Sequence, residues 1–269
     1  MKKLTFTLFA SAALVSCSTN SSSDNPSSGG LLVKTITYNN ISFFNQLTYS
    51  YNGNKFSGYI DSSGGYGTIT YNGNYIINTG DFASNSTYLV NYNYANGLLI
   101  STTTNSTYNN SSSTSSSTFV HNSDGSITEN ETRTSNTGYV SHSMTKRYYS
   151  QGNCIKEEYF SIDNSVMYLT SITNYTYDTK NNPFKNAIGW SYLVGVGFDW
   201  GMTNNNVISE ITTNDSGVVE STSQSTYQYN SQDYPISCVT TNNYYNFDPT
   251  TGISTPGTPS TETQTYTYY

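Results

Sequence analysis

A short motif recurs along this chain at intervals of roughly 20 to 28 residues, about the length of two strands with their turns. It consists of aromatic residues two apart, a cluster of Asn, Gly, Asp or Gln, and then the start of a new run of strand-forming residues. Copies begin at Tyr49-Ser50-Tyr51 before Asn52-Gly53-Asn54, at Thr70-Tyr71 before Asn72-Gly73-Asn74, and at Tyr92-Asn93-Tyr94 before Ala95-Asn96-Gly97. Further copies are Phe119 to Gly125, Tyr148 to Asn153, Tyr175 to Phe184 and Tyr227 to Pro235. Tyrosines two apart put both rings on one face of a strand. Asn-Gly and Asp-Gly supply the positive φ that a tight hairpin turn requires. In the clearest copy, Tyr175 to Phe184 (Y-T-Y-D-T-K-N-N-P-F), Asp178 caps the turn, and Pro183 with Phe184 is expected to begin the returning strand.

These repeats predict an all-β fold: a single twisted antiparallel meander sheet of hairpin repeats, able to curl into a partial barrel. Hydrophobic residues are 34% of the chain, and that figure includes 27 tyrosines, so aliphatic side chains for a thick two-sheet core are scarce. A tyrosine buries its ring while its hydroxyl seeks water or a partner, which suits a sheet with partly wet faces.

The repeats do not start at once. Met1 to Cys17 has a basic start at Lys2 and Lys3, an apolar run from Leu4 to Val15 too short to span a bilayer, and small residues before a cysteine, the pattern of a signal peptide. Leu14-Val15-Ser16-Cys17 resembles the lipobox of bacterial lipoproteins, and that resemblance implies cleavage before Cys17 and acylation of its thiol and amine. Several acyl chains would anchor the protein stably, whereas one would be marginal. The region 18–33 opens with a Ser/Asn-rich stretch, Ser18 to Gly30, with nothing to place in a core, and reads as a flexible tether. Residues 34–269 are then the β-repeat domain. No acidic cluster follows Cys17, which leaves a periplasmic or a surface-exposed position on the outer membrane equally open.

The 10 basic residues, less Lys2 and Lys3, set against 17 acidic ones leave a mature net charge of −9, which argues against a nucleic-acid partner, since that would call for a basic surface. Lipidation of Cys17 leaves Cys154 and Cys238. Aligning Tyr148-Tyr149-Ser150-Gln151 with Tyr229-Asn230-Ser231-Gln232 puts Cys154 opposite Pro235, three positions before Cys238. Equivalent strands would then show the thiols on opposite faces, which argues against a disulfide.

Three segments interrupt the repeat. Asn105 to Thr118, nearly all Ser, Thr and Asn, reads as a long exposed loop or the tip of an extended hairpin. Asp248 to Thr261, rich in Pro, Gly, Ser and Thr, reads as a mobile loop before a docked terminal strand, Gln264 to Tyr269. Ala187 to Met202 is the most apolar part of the mature chain and holds both tryptophans. Its larger residues, Ile188, Trp190, Tyr192, Val194, Val196, Phe198, Trp200 and Met202, alternate with a glycine-rich face, the pattern of a strand or a strand with a bulge. Such a segment caps the apolar side of the sheet; as a ligand-facing wall it would use Trp190, Tyr192 and Trp200. One strand of this kind does not make a membrane barrel.

Catalytic patterns are weak. Ser143-Met144-Thr145-Lys146 has the S-x-x-K spacing but leads into strand residues and lacks a K-T-G companion. His121 and His142 have no ligand partner at short spacing, and nothing singles out two of Glu157, Glu158, Asp178, Asp199 and Glu210 as a glycosidase pair. No catalytic residue, metal site or cofactor is expected. Stacking of sugar rings on Tyr and Trp is the sharpest binding chemistry on offer, although cross-strand tyrosine pairs are wanted for stability in any case.

The Y-x-Y-D-x-x-G/N spacing at Tyr175 resembles the tyrosine–aspartate repeats of Rhs-type shell proteins, which implies long curved antiparallel sheets. The fuller run to Asn186, with a lipobox ahead of it, is similar to lipoproteins of Bacteroidota-type bacteria. The repeat resemblance carries over sheet geometry alone; with the anchor pattern and the weak catalytic patterns, the chain reads as a lipid-anchored, non-catalytic structural or interaction module of the cell envelope. Its partners would be the membrane, through the acyl chains, and a glycan or another envelope protein; the alternatives are a glycan-binding lipoprotein and, behind it, a polysaccharide hydrolase.

Overall fold

The computed structural model describes residues 30–39, 45–109, 111–190, 203–248 and 253–269. Cys17, most of the tether, and Tyr192, Asp199 and Trp200 lie outside the described residues. The described strands are β1 (Val33–Asn39), β2 (Gln46–Asn52), β3 (Lys55–Asp61), β4 (Tyr66–Asn72), β5 (Tyr75–Ala83), β6 (Ser86–Ala95), β7 (Leu98–Tyr108), β8 (Ser111–His121) and β9 (Ile127–Ser135). They continue with β10 (Val140–Ser150), β11 (Asn153–Asp163), β12 (Val166–Tyr177), β13 (Val207–Asn214), β14 (Val219–Tyr229), β15 (Pro235–Asp248), β16 (Ile253–Pro256) and β17 (Ser260–Tyr268).

Each strand from β2 to β15 pairs antiparallel with its neighbours in sequence, β17 pairs with β15, and β1 pairs with both β17 and β2. With β16 set aside, the remaining 16 strands of the 17 close into an up-and-down barrel. The predicted meander is therefore complete, and the curl goes all the way round. Closure removes the exposed edges that a long open sheet would carry. The segment Asn105 to Thr118 is the tip of an extended hairpin, β7 with β8, and the terminal strand docks as β17. In the Pro/Gly-rich segment before it, β16 folds back on the end of β15.

The repeat has a structural reason. Just before the turn, the register shifts by one residue at Ser50/Tyr51, Thr70/Tyr71, Asn93/Tyr94, Tyr148/Tyr149 and Gln228/Tyr229. The bulge lies beside the second aromatic position and re-phases the hairpin, so that Tyr51 faces Phe56, Tyr71 faces Ile76, Tyr94 faces Leu99 and Tyr149 faces Cys154. Both members of each pair then point the same way. At two of these turns a pair of residues has positive φ, Asn96 (52°) with Gly97 (79°) and Gln151 (53°) with Gly152 (80°), as a type I′ hairpin demands.

All these repeat turns lie at one end of the barrel, and so does the connection between β12 and β13. There the Tyr175 copy departs from its expected form. Asp178 does cap a turn, accepting from the Lys180 amide at 2.9 Å, but Pro183 and Phe184 do not start a strand. β12 ends at Tyr177, and the next described strand, β13, begins at Val207. Ala187 to Trp190, expected as strand, is a turn region with a single parallel bridge from Ile188 to Lys55.

This insertion fills one end of the barrel. Phe184 belongs to a cluster with Val33, Ile36, Tyr49, Phe56, Cys238 and Tyr266, drawn from β1, β2, β3, β15 and β17. Trp190 packs against that cluster and also against a second one, Ile76, Val90, Tyr92, Leu99, Phe119 and Ile127, from β5 to β9. β4 lies half-way round the ring from β12, so one segment reaches all these strands only from the concave side. The buried aromatic face is the inside of the barrel.

Cys154 and Cys238 are free, and both point inward. The expectation of opposite faces missed the extra bulge residue near Ile236, which restores the phase between Pro235 and Cys238. Distance keeps the thiols apart: β12, β13 and β14 lie between them, roughly 19 Å of wall against the 7 Å or so that a disulfide tolerates.

Candidate functional site

The two faces of the wall have opposite chemistry. One outward row runs across nine strands as Thr70, Asn78, Asn91, Thr103, Ser116, Thr132, His142, Ile162 and Met167. Thr35, Thr37, Thr263 and Thr265 continue the hydroxyl surface where the barrel closes, and Thr222, Gln224, Thr226 and Gln228 do so on β14. Apolar residues interrupt this surface in two ways: as a strip on β10 to β13, with Met144 facing Phe160, Phe160 facing Leu169, and Ile172 and Ile211 close by, and as scattered exposed side chains elsewhere, among them Ile60, Ile100, Val120 and Val239. A membrane-spanning barrel carries an apolar band all the way round with aromatic girdles on its outside. Here the aromatic girdle is inside.

The blocked end is pinned on both sides of the insertion. Asp178 accepts from the Asn206 amide at 3.1 Å, from the Asn206 side chain, and from the Tyr229 hydroxyl. Lys180 Nζ lies 2.8 Å from Asp233, and the Asn181 amide donates to the Asp233 carbonyl at 2.9 Å, both in the β14–β15 turn. On the other flank the Asn204 amide donates to Asn153 Oδ1 at 2.9 Å, and the Asn204 side chain to the Gln151 carbonyl at 2.8 Å, at the β10–β11 turn. At the far wall Ile188 donates its amide to the Asn54 carbonyl at 2.8 Å and accepts from the Tyr71 hydroxyl at 3.0 Å. Gly189, with φ +91°, passes so close that an added Cβ would lie 2.6 Å from the Tyr71 ring.

Trp190, a candidate ligand residue on sequence grounds, stacks on Phe184 at 5.2 Å and meets Phe56 edge-on at 5.4 Å. It is the hinge of the plug's packing, and its indole nitrogen is buried without a partner among the described residues. The other two candidates, Tyr192 and Trp200, lie outside the described residues.

Below the plug the lumen becomes polar. Arg147 is buried on β10 and donates to Glu157 Oε1 and Glu129 Oε2, each at 2.8 Å. Burial alone would lower the pKa of this guanidinium, but Glu157 and Glu129 outweigh it and hold the value above that of an ordinary arginine. The triad is drawn from β9, β10 and β11, and sequence spacing does not reveal it. The available signal was phase: Arg147 stands where most of the other repeats have their first inward aromatic, and one has Ile69. Across the lumen Tyr59 donates to Asp81 at 2.6 Å, and burial pushes the Asp81 carboxyl up, partly offset by that hydrogen bond.

The other sequence candidates do not converge. Ser143 faces inward, while Lys146 faces outward to Asp124 (3.6 Å) and the Tyr148 ring. Glu158 faces outward to Lys156 at 2.6 Å. The His121 ring nitrogen is 2.8 Å from the Leu99 carbonyl, and His142 contacts Thr132 at 3.0 Å. Among the described residues no three His, Cys, Asp or Glu gather as a metal cluster.

Burial, then the nearby Glu157 charge, push the Cys154 thiol up to about 12, and burial likewise raises Cys238. Iodoacetamide at pH 8 is therefore expected to leave both thiols unmodified in the folded protein and to alkylate both in denaturant. Rapid labelling of the native protein, read by intact mass, would contradict their placement inside the plugged half.

Among the described residues nothing like the plug fills the opposite end. Its inner wall carries Thr104, Ser106, Ser113, Ser115, Glu131, Arg133, Ser141, Ser143, Tyr159 and Ser161. A groove of about 660 Å³ lies there against β9, β10 and β11. The molecule is thus a cup, solid at one end and wet at the other.

No family model matches the chain, and no curated protein matches it. The fold is similar to that of a porin-like protein from Bacteroides vulgatus, at a TM-score of 0.57 and 12% identity over 89% of this chain and 99% of that one. A porin-like protein from Bacteroides uniformis matches at a TM-score of 0.45 and 14% identity over 88% and 98% of the two chains. At these identities the first likeness shows the fold alone, a closed β-barrel.

Proposed function

We propose that this protein is a lipid-anchored, extracytoplasmic barrel that stands in water and acts as a non-catalytic structural or interaction module of a bacterial envelope, and not as a pore. The observation that carries the reading is the inverted wall: Thr, Ser and Asn outside, tyrosines and the plug inside. Placing this outer surface in hydrocarbon would strand a ring of hydroxyls and amides without partners. The plug would in any case obstruct a channel.

The direction of the chain adds an orientation. Gly30 lies at the plugged end, beside Asn186 and Tyr234, and Asn186 donates to the Leu31 carbonyl at 2.8 Å. An acyl anchor at Cys17 therefore holds the plugged end toward the bilayer and turns the open mouth away from it. A tether of about 13 residues gives a reach of roughly 20 Å.

Two measurements test the reading. Cys17→Ser is expected to move the protein from the membrane fraction to the soluble fraction without detergent, and the purified protein is expected to give no stepwise conductance in a planar bilayer. Retention of the Cys17→Ser variant in the membrane removes the lipid anchor, and reproducible channels remove the cup.

A further inference from the structure

The open half of the lumen is not uniform. On β10 and β11 the inward residues nearest the mouth are small, Ser141, Ser143 and Ser161, with Ser143 directly opposite Ser161 on one side and Glu131 on the other. They leave the trough of about 660 Å³ between larger flanking groups. Two rings bound it: Tyr159, 42% exposed, toward the plug, and Tyr139, 71% exposed, at the rim.

The charges in this trough contrast with those deeper in the lumen. Arg147 is fully engaged by two carboxylates, whereas none of Glu131, Arg133 and Asp163 is in an ion pair among the described residues. Arg133 makes one long contact, to Ser113 at 3.4 Å, and Glu131 receives one, from Ser143 at 3.4 Å. Donor and acceptor capacity is left facing the groove.

The combination selects a ligand by elimination. An apolar ligand would meet hydroxyls and charges with nothing to satisfy them. A phosphate or other compact anion would meet Glu131 and Asp163 together with its one arginine. A bare cation would find no cluster of three acidic ligands among the described residues. A polyhydroxyl ring fits each part: a carboxylate accepts from adjacent hydroxyls, the guanidinium and serines donate to ring and hydroxyl oxygens, and an exposed tyrosine covers the C–H face.

We propose that this trough is a binding site for a neutral oligosaccharide, with Tyr159 as stacking platform and Glu131 and Arg133 as the orienting hydrogen-bond groups. A groove of this size lies within the usual range for small-ligand sites and has room for about two or three sugar units. The site rests on the reading of the barrel as a water-standing cup, and it lies on the wall far from the tryptophan segment.

Isothermal titration of the full-length mature protein with cello-, malto-, manno-, xylo-, laminari- and chitotetraose tests it. At least one of these is expected to bind with a dissociation constant of roughly 10 μM to 1 mM, and Tyr159→Ala and Glu131→Gln are each expected to weaken that binding about 10-fold. Both positions lie at the exposed mouth, so thermal melting should move little. Trp190→Phe is expected to leave the affinity unchanged. Silence of the whole panel at millimolar sugar, or binding that survives both mouth substitutions within about twofold, overturns the proposal. A silent panel without bilayer conductance removes the sugar and keeps the cup; channel activity removes the cup itself.

Discussion

Replacing Arg147 by leucine is expected to cost about 3–5 kcal/mol of folding stability, which for a barrel of this size lowers the melting temperature by roughly 10 °C. Arg147 is 7% exposed, and its guanidinium lies between Glu129 and Glu157, each held at 2.8 Å. Leucine fills much of the same space but leaves two carboxylates facing each other with no counter-charge. The triple change Glu129→Gln, Arg147→Met, Glu157→Gln is expected to recover most of the loss, because it removes the charges together instead of orphaning two of them. Lys156→Leu is the contrasting control. Lys156 makes a shorter contact, 2.6 Å to Glu158, but on the outer surface, where solvent screens it, and less than about 1 kcal/mol should be lost. Thermal melts of the four proteins decide the matter, and a loss below about 1 kcal/mol for Arg147→Leu would show that the lumen around the triad is wet enough to solvate its charges.

The sheet was legible in the chain because hairpin chemistry is local. Aromatic residues two apart, Asn-Gly turns and the spacing between copies are all properties of fewer than about 30 consecutive residues. Closure is not local: β1 with β17 joins Ile36 to Tyr266, and no short-range pattern predicts that pairing. The bulge beside the second aromatic was also hidden, since one extra residue reverses every face assignment that follows it. That is why the two cysteines were expected on opposite faces. The apolar alternation around Trp190 was a true sign of burial with a false geometry, because a segment packed inside a barrel meets apolar neighbours on many sides and has no need of period two. The mouth gave the weakest signal. Ser141, Ser143, Glu131 and Arg133, neighbours on β9 and β10, look like ordinary solvated strand residues until closure makes their face the inside of a lumen.

Phe184→Ala is expected to release the plug before it unfolds the barrel. The ring is 3% exposed, stacks on Trp190 at 5.2 Å and meets Tyr49 edge-on at 5.3 Å, so its loss removes a buried aromatic and two ring pairs, about 3–5 kcal/mol in a core that cannot collapse around the gap. The sheet beneath is held by hydrogen bonds that run right round the ring and do not pass through the insertion. The plug is held at its base by Asp178, Asn204 and Asn206, and at its tip by the Ile188 amide and the packing of Phe184 and Trp190. Removing Phe184 therefore weakens the tip and leaves the base intact, the arrangement in which a segment opens as its own unit. In a Trp200→Phe background, where Trp190 is the sole tryptophan, its emission should shift to the red at denaturant concentrations well below the loss of far-UV β signal, and amide exchange at Ala187 and Ile188 should accelerate at least about 100-fold while exchange in β7 and β8 is nearly unchanged. Coincident transitions would mean that the plug and the wall form one cooperative body, with the aromatic girdle holding the barrel closed as well as blocking it.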